Sequence, residues 1–238
     1  HRDLHSFPTR RSSDLVDLVF HGDTGCYTML MFPPNADLMH NYSGMGLGGG
    51  TGAGIDPFIV NKQVVFMGDS TFFHSGQVAI ANSVTQNQDI TYIILENGTT
   101  AMTGHQILAS NPTDLLGRSS PQVNIERIVR AATDIAGCEV VRANPADRKF
   151  YKNLLENIIL ADGVKIVIAD KECGITFQRK VKAIERAREH KLGYLPKKTY
   201  MNITPEVCEF CLECATATGC PGLRSEERRV GKECRSRW

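Results

Sequence analysis

The interior of the chain alternates between short apolar runs and amphipathic segments, and this alternation predicts strands separated by helices. Continuous apolar runs are typical of strands that are buried on both faces of a parallel sheet. The predicted strands are residues 16–20, 63–67, 90–95, 140–141 and 164–169, and the predicted helices are residues 71–86, 125–136 and 150–160. Since helices fall between strands, the pattern predicts an α/β fold built from right-handed strand–helix–strand units.

A glycine-rich segment, GMGLGGGTGAG, occupies residues 44–54. Each glycine weakens a helix by about 1 kcal/mol relative to alanine, so we expect a close-packed turn here rather than a helix. Neither a Gly-Lys-Ser/Thr ending nor the spacing of a dinucleotide-binding fingerprint accompanies the glycines, so no phosphate loop of either type is predicted. The basic stretch at residues 177–191 is interpreted as the solvated face of a helix.

Polar clusters follow two consecutive predicted strands. Gly-Asp-Ser at residues 68–70 comes directly after one strand, and Glu-Asn-Gly-Thr-Thr at residues 96–100 comes directly after the next. If these parallel strands are neighbours, Asp69 and Asn97 converge at one edge of the sheet, where ligands of such sheets bind. Carboxylate and amide oxygens suit Mg²⁺ carried by a phosphate compound, and the helix that follows offers N–H groups to a diphosphate.

Three longer motifs surround these clusters, namely GDTGCYT at residues 22–28, GDSTFFHSG at 68–76 and NGTTAMTGHQ at 97–106. Together they resemble the α-subunit of the indolepyruvate:ferredoxin oxidoreductases, and the Gly-Asp to Asn spacing looks like the wider thiamine-diphosphate signature. The resemblance covers nearly all of residues 16–223. It implies a parallel-sheet, thiamine-diphosphate-binding α/β domain, followed by a truncated ferredoxin-like segment.

The resemblance also implies roles for individual residues around a thiamine diphosphate and its Mg²⁺. Asp69, the Asn97 side chain and the Thr99 carbonyl would bind the metal, and Gly68 and Ser70 would contact the diphosphate. The further cofactor-binding residues that it implies are Tyr27, Thr100 and Met102.

Cys26 and His105 are the candidate catalytic residues, because both belong to motifs that the resemblance places on the cofactor or substrate side. For His105 a packing role stays open beside the catalytic one. For His21 and His74, too, both a packing role and a functional role stay open.

A cysteine cluster, C-x₂-C-x₂-C-x₅-C-P, is formed by Cys208, Cys211, Cys214 and Cys220. Three thiolates at two-residue gaps are typical of one corner of a 4Fe-4S cluster, and the cysteine before proline binds the second cluster in two-cluster ferredoxins. A zinc site is the alternative, but zinc sites usually pair two separated C-x₂-C knuckles. We therefore predict an iron–sulfur segment. Whether Cys220 binds the same cluster as the other three cysteines or a second cluster stays open.

The two modules together indicate oxidative decarboxylation. Thiamine diphosphate supplies the chemistry for removing CO₂ from a 2-oxo acid, iron–sulfur clusters accept electrons singly, and coenzyme A can capture the acyl group. The resemblance adds aryl 2-oxo acids such as indolepyruvate as substrates, ferredoxin as electron acceptor and a β-subunit as partner. Alternatives are another 2-oxoacid:ferredoxin oxidoreductase, a non-redox thiamine-dependent decarboxylase, or an electron carrier whose α/β part is a docking scaffold.

The terminal segments do not follow the pattern of the interior. One DNA sequence can encode residues 224–238. Its reverse complement encodes residues 1–14 and then supplies the first two bases of a codon for Leu15. We interpret residues 1–15 and 224–238 as translated sequencing adapter, residues 16–200 as the thiamine-diphosphate-binding domain, and residues 201–223 as the iron–sulfur segment. The interior is then expected to be a fragment. The resemblance implies a further N-terminal domain that binds the pyrimidine side of thiamine diphosphate, and without it we expect the fragment alone to be inactive.

Charge and composition limit the classes of partner that we expect for this chain. The 238 residues carry 27 Lys and Arg against 26 Asp and Glu, for a net charge of +1, which gives no electrostatic reason to expect a nucleic-acid partner. No run of about 18 apolar residues occurs, so no membrane span is predicted. With clustered cysteines that suit metal chemistry rather than disulfides, we expect a cytoplasmic enzyme.

Overall fold

The computed structural model describes residues 18–32 and 38–194, which divide into two compact units with the boundary along the chain between Cys173 and Gly174. The first unit is a parallel sheet covered by helices. Its strands are β1 (Leu18–Gly22), β2 (Asn41–Tyr42), β3 (Lys62–Gly68), β4 (Ile90–Glu96), β5 (Glu139–Ala143) and β6 (Lys165–Asp170). Its α-helices are α1 (Leu47–Ile55), α2 (Asp69–Thr71), α3 (Gln77–Thr85), α4 (Ile125–Thr133) and α5 (Arg148–Leu160).

All six strands run parallel in the order β2-β1-β3-β4-β6-β5. The predicted α/β class and the predicted strand–helix–strand alternation are therefore confirmed. The predicted helix at residues 71–86 begins two residues earlier and is interrupted by a π-helical turn at Phe72–Gly76. 3₁₀ turns lie at Cys26–Met31, Asp56–Phe58 and Asp134–Ala136.

The core lies on both faces of the sheet, as the continuous apolar strands predict. Successive residues of a strand point to opposite faces. Val65 and Met67 of β3 therefore pack into one cluster with residues of α1, α3 and α4, while Val64 and Phe66 pack into a second cluster with α5. β3 and β4 are central, and residues 63–67 and 90–94 are buried, so packing on both sides holds the strands up to the last residues before their carboxyl ends.

The amino edge of the sheet is closed by a network of ion pairs. The ammonium group of Lys165 is almost fully buried, and it lies 2.6 Å from an Asp89 carboxylate oxygen and 2.7 Å from the Ala161 carbonyl oxygen. Lys62 contacts the second Asp89 oxygen at 2.6 Å and Asp162 at 2.7 Å. Burial lowers the pKa of Lys165, and the Asp89 contact opposes that shift. These charges link the starts of β3, β4 and β6.

The glycine-rich segment forms helix α1, so the expectation of a turn was wrong. Gly48, Gly49 and Gly52 are buried. A Cβ atom at Gly48 would lie 2.8 Å from the Gly22 carbonyl oxygen, and one at Gly49 would lie 2.6 Å from the Ala79 Cβ. The glycines let the helix backbone approach the sheet more closely than any side chain would permit. Tertiary packing thus outweighs the low helix propensity.

The second unit contains one described helix, α6 (Gly174–Leu192), which has no buried residue. This confirms the interpretation of residues 177–191 as a solvated helix. Of the helices in residues 18–32 and 38–194, none combines the length and the apolar character needed to cross a bilayer.

The exposed glycines of α1 provide a test of this packing. A Cβ atom at Gly50 or Gly54 would meet nothing within 4 Å. We expect Gly50→Ala and Gly54→Ala each to raise the free energy of unfolding by about 0.5–1 kcal/mol, because alanine is the better helix former. Gly48→Ala should lower it, since its Cβ would overlap the β1 backbone. Urea unfolding followed by circular dichroism measures all three; stabilisation by Gly48→Ala would contradict the close contact.

Candidate functional site

The carboxyl edge between β3 and β4 brings together the two polar clusters that the sequence places there. The strands pair in parallel, with Gly68 opposite Leu95, so Asp69 lies beside the segment that leaves β4. One carboxylate oxygen of Asp69, Oδ2, accepts the backbone N–H groups of Asn97 at 2.9 Å and Gly98 at 2.8 Å. The predicted convergence of Asp69 and Asn97 is therefore present in the structure.

The turn after β4 wraps around this carboxylate. The Asn97 side-chain oxygen accepts the Thr99 backbone N–H at 3.0 Å, and the Thr99 hydroxyl donates to the Gln106 carbonyl oxygen at 3.2 Å. Gly98 has a φ of +75°, a conformation that residues with a Cβ rarely adopt. This combination places the Asn97 amide and the Thr99 main chain in one short turn that contacts Asp69.

The Asp69 carboxyl group is only 1% exposed, which raises its pKa because burial disfavours the charged form. Backbone N–H groups act in the opposite direction; Oδ1 accepts the Ser70 N–H at 2.8 Å, and the amides of Asn97, Gly98 and Thr99 also lower the pKa. The charge is thus solvated by amide dipoles. A nearby cation would further favour the ionised form.

The donor set fits a magnesium ion that shares its ligands with phosphate. Within the described residues, no group of three or more His, Cys, Asp or Glu side chains could hold a metal. A metal enclosed entirely by such side chains is therefore not available in that part of the chain. One carboxylate, one amide oxygen and a main-chain carbonyl are hard oxygen donors, and Mg²⁺ is usually bound by few protein groups together with phosphate and water.

A second buried carboxylate, Asp23, directly follows the carboxyl end of β1 and was given no role by the sequence reasoning. It is 0% exposed, and its Oδ1 accepts the Tyr27 hydroxyl and the Thr71 hydroxyl, the latter at 3.2 Å. Its Oδ2 accepts the Gly46 backbone N–H at 3.0 Å. The Tyr27 hydroxyl in turn accepts the Gly68 N–H at 3.2 Å. The only available sequence signal was the position of Asp23 in the GDTGCYT motif.

Arg142 is another residue that sequence reasoning missed. Its guanidinium donates to Glu96 at 2.6 Å and to Asp170 at 2.8 Å, and its Nε donates to Glu126 at 2.9 Å. It thereby ties the carboxyl ends of β4, β5 and β6 together beside Asn97. The pattern of residues 140–141 marked only a short strand, so nothing in the sequence distinguished this arginine.

The remaining predicted site residues follow the carboxyl ends of β1 and β4. Cys26 is exposed and begins a 3₁₀ turn, while partial burial and the neighbouring Cys173 raise the pKa of its thiol, which disfavours the thiolate. Met102 is 54% exposed. His105 has a φ of +65° and donates its backbone N–H to the Thr100 carbonyl oxygen at 2.9 Å. The catalytic assignments of Cys26 and His105 stay predictions.

The two other histidines differ in their surroundings. His21 is fully buried; its Nδ1 accepts the Asn41 amide, and its Nε2 lies 2.6 Å from the Gln63 side-chain oxygen. Burial lowers its pKa, which favours the neutral ring, and the ring is a polar link across β2, β1 and β3. His74 is exposed and contacts the Ser75 hydroxyl at 2.9 Å.

Comparison with known protein families identifies the family of this chain. The family described as "Thiamine pyrophosphate enzyme, C-terminal TPP binding domain" matches residues 23–169, and the chain belongs to this family. The cysteine cluster at residues 208–220 lies outside both this match and the described residues.

Particular relatives follow from sequence similarity. The chain is 32% identical over 97% of its length to a protein named indolepyruvate oxidoreductase subunit IorA from Methanothermobacter marburgensis. It is 33% identical over 91% of its length to the protein of that name from Archaeoglobus fulgidus. The resemblance expected from the motifs is therefore confirmed. The chain spans 35% and 32% of the lengths of these two relatives.

A solved structure shares the fold. The 2-oxoglutarate:ferredoxin oxidoreductase from Magnetococcus marinus, solved with 2-oxoglutarate, coenzyme A and succinyl-CoA bound, superposes with a TM-score of 0.60 at 17% identity. The match covers 71% of this chain and 63% of that one. It supports the parallel α/β architecture described above.

The pKa of Asp23 leads to a prediction about pH. Burial raises it from 3.8 to about 7, so the folded chain keeps a proton there that the unfolded chain has lost above about pH 5. The protonated Asp23 side chain therefore stabilises the folded chain at low pH, and this stabilisation is lost as the pH rises through 7. Without Mg²⁺ or diphosphate, wild type should lose on the order of 2 kcal/mol relative to Asp23→Asn between pH 5 and pH 8. Urea unfolding measures this; parallel profiles would show that Asp23 ionises normally.

Proposed function

We propose that this chain supplies the magnesium and diphosphate side of a thiamine diphosphate site in an oxidoreductase that decarboxylates 2-oxo acids. The observation that carries this proposal is the buried Asp69 carboxylate, held by the backbone amides of the turn at Asn97 and Gly98. The family match and the identity to the two indolepyruvate oxidoreductase subunits support it.

The roles proposed for this chain follow from donors and acceptors at the carboxyl edge. Asp69, the Asn97 amide oxygen and the Thr99 carbonyl would hold Mg²⁺, since an oxygen can bind a cation while it also accepts an N–H. Gly68 and Ser70 flank Asp69 where β3 passes into α2, so main chain without a bulky side chain would face the diphosphate. When bound, the cofactor supplies the carbon that adds to the 2-oxo acid and the sink for the electrons released with CO₂.

The complete reaction proposed here converts a 2-oxo acid and coenzyme A into acyl-CoA, CO₂, a proton and two electrons. The name of the two relatives, indolepyruvate oxidoreductase subunit, favours indolepyruvate and other aryl 2-oxo acids as substrates. We further propose that a 4Fe-4S segment at residues 201–223 takes the electrons singly and passes them to ferredoxin. A β-subunit completes the enzyme. Thiolates that bind clusters need a reducing compartment, so we propose a cytoplasmic location.

A first experiment tests the cofactor site. Asp69→Asn keeps the shape of the side chain but removes the charge, so we expect the dissociation constant for thiamine diphosphate in excess Mg²⁺ to rise at least about 100-fold. Isothermal titration calorimetry measures it. Asp162→Asn is the matched control, because Asp162 is exposed at the opposite edge of the sheet. Unchanged affinity in Asp69→Asn would favour the scaffold alternative.

A second experiment tests the iron–sulfur segment. After anaerobic reconstitution with iron and sulfide, the chain should absorb at about 400 nm and bleach on addition of dithionite. Cys211→Ser should remove this absorption, since one thiolate ligand is lost, whereas Cys138→Ser should retain it. Binding of zinc with no visible absorption would contradict the cluster and leave the non-redox alternative standing.

A further inference from the structure

The second buried carboxylate, Asp23, is linked by hydrogen bonds to the residues on both sides of Asp69, the proposed metal ligand. Asp23 accepts the Thr71 hydroxyl, and Thr71 lies two residues after Asp69. It also accepts the Tyr27 hydroxyl, which itself accepts the N–H of Gly68, the residue before Asp69. Through these two routes one side chain is linked to the main chain before Asp69 and to the helical turn after it.

The same carboxylate reaches a third element. Its Oδ2 accepts the Gly46 N–H, and Gly46 immediately precedes α1. Gly46 is packed against Ser75, where a Cβ atom would lie 1.9 Å from the hydroxyl oxygen, and the Ser75 hydroxyl donates to the Met45 carbonyl oxygen at 3.0 Å. Asp23 therefore joins β1, the start of α1 and the strand-to-helix turn of β3.

Burying Asp23 costs free energy, and a role in holding the fold together does not by itself explain that cost. Asp23 is completely buried, and among the described residues it has no ion pair with a cation. Burying such a group is unfavourable unless its hydrogen bonds are made. Two of its three partners, Tyr27 and Thr71, are tied to the segment that carries Asp69, which connects the cost with that site.

We propose that Asp23 is a positioning residue that holds Gly68 and Thr71 on either side of Asp69 in the conformation that binds a magnesium diphosphate. This inference rests on the proposed function of Asp69. Asp23 itself does not contact the metal or the cofactor; it acts through Tyr27 and Thr71.

The test measures binding to the full 238-residue chain by titration calorimetry, with thiamine diphosphate and with inorganic pyrophosphate, each in excess Mg²⁺. Asp23→Asn should raise both dissociation constants roughly 10- to 100-fold, because the amide keeps only one of the two oxygens that accept these hydrogen bonds. Thr71→Val should raise them roughly 5-fold, and Thr71→Ser, which keeps the hydroxyl, should bind within about 2-fold of wild type.

A buried hydrogen bond elsewhere provides the control for general destabilisation. Ser83 is fully buried and lies 2.7 Å from the Tyr92 hydroxyl, away from the carboxyl edge. Ser83→Ala should lower the free energy of unfolding without changing either dissociation constant. If Ser83→Ala weakens binding as much as Asp23→Asn does, Asp23 has only a structural role and the inference is overturned.

The remaining outcomes separate this inference from the proposed function. Wild-type binding that is lost in Asp69→Asn but unchanged in Asp23→Asn overturns the positioning role alone. Failure of the wild-type chain to bind either ligand overturns both proposals. If Asp23→Asn does not fold, the Thr71 pair decides, and equal weakening by Thr71→Ser and Thr71→Val overturns the inference.

Discussion

The carboxyl edge of this sheet depends on the solvation of one buried carboxylate by backbone amides. Asp69 has lost nearly all contact with water, and the N–H groups of Ser70, Asn97 and Gly98 replace it. These amides are available only because β3 and β4 are paired in parallel and end at the same level. The pairing of two central strands thus determines where a charge can be kept inside the protein.

Close packing of helix α1 serves the same edge. Its buried glycines bring the helix backbone onto β1, and the residue that precedes the helix, Gly46, donates to Asp23. A helix with larger residues on this face would stand further from the sheet, and that hydrogen bond would be lost. The weak propensity of the segment is therefore offset by contacts that only glycine permits.

Much of this architecture could be predicted from local pattern. The apolar runs predicted the strands because a strand buried on both faces carries little else, and Asp69 and Asn97 were brought together by the rule that parallel strands end at one edge. The helix at residues 47–55 could not be predicted in this way, since its stability comes from contacts with distant residues. Arg142 was missed for a similar reason, because its three carboxylate partners come from three different segments.

The π-helical turn at Phe72–Gly76 separates two geometrical requirements along one helix. In an uninterrupted α-helix each residue advances by about 100° around the axis, so the orientation of the first turn fixes that of every later turn. A π turn inserts an extra residue and shifts this phase. Thr71 can therefore face Asp23 while Ile80 and Ser83 face the core. The orientation of the polar first turn around the helix axis is therefore not fixed by the orientation of the later turns that pack into the core.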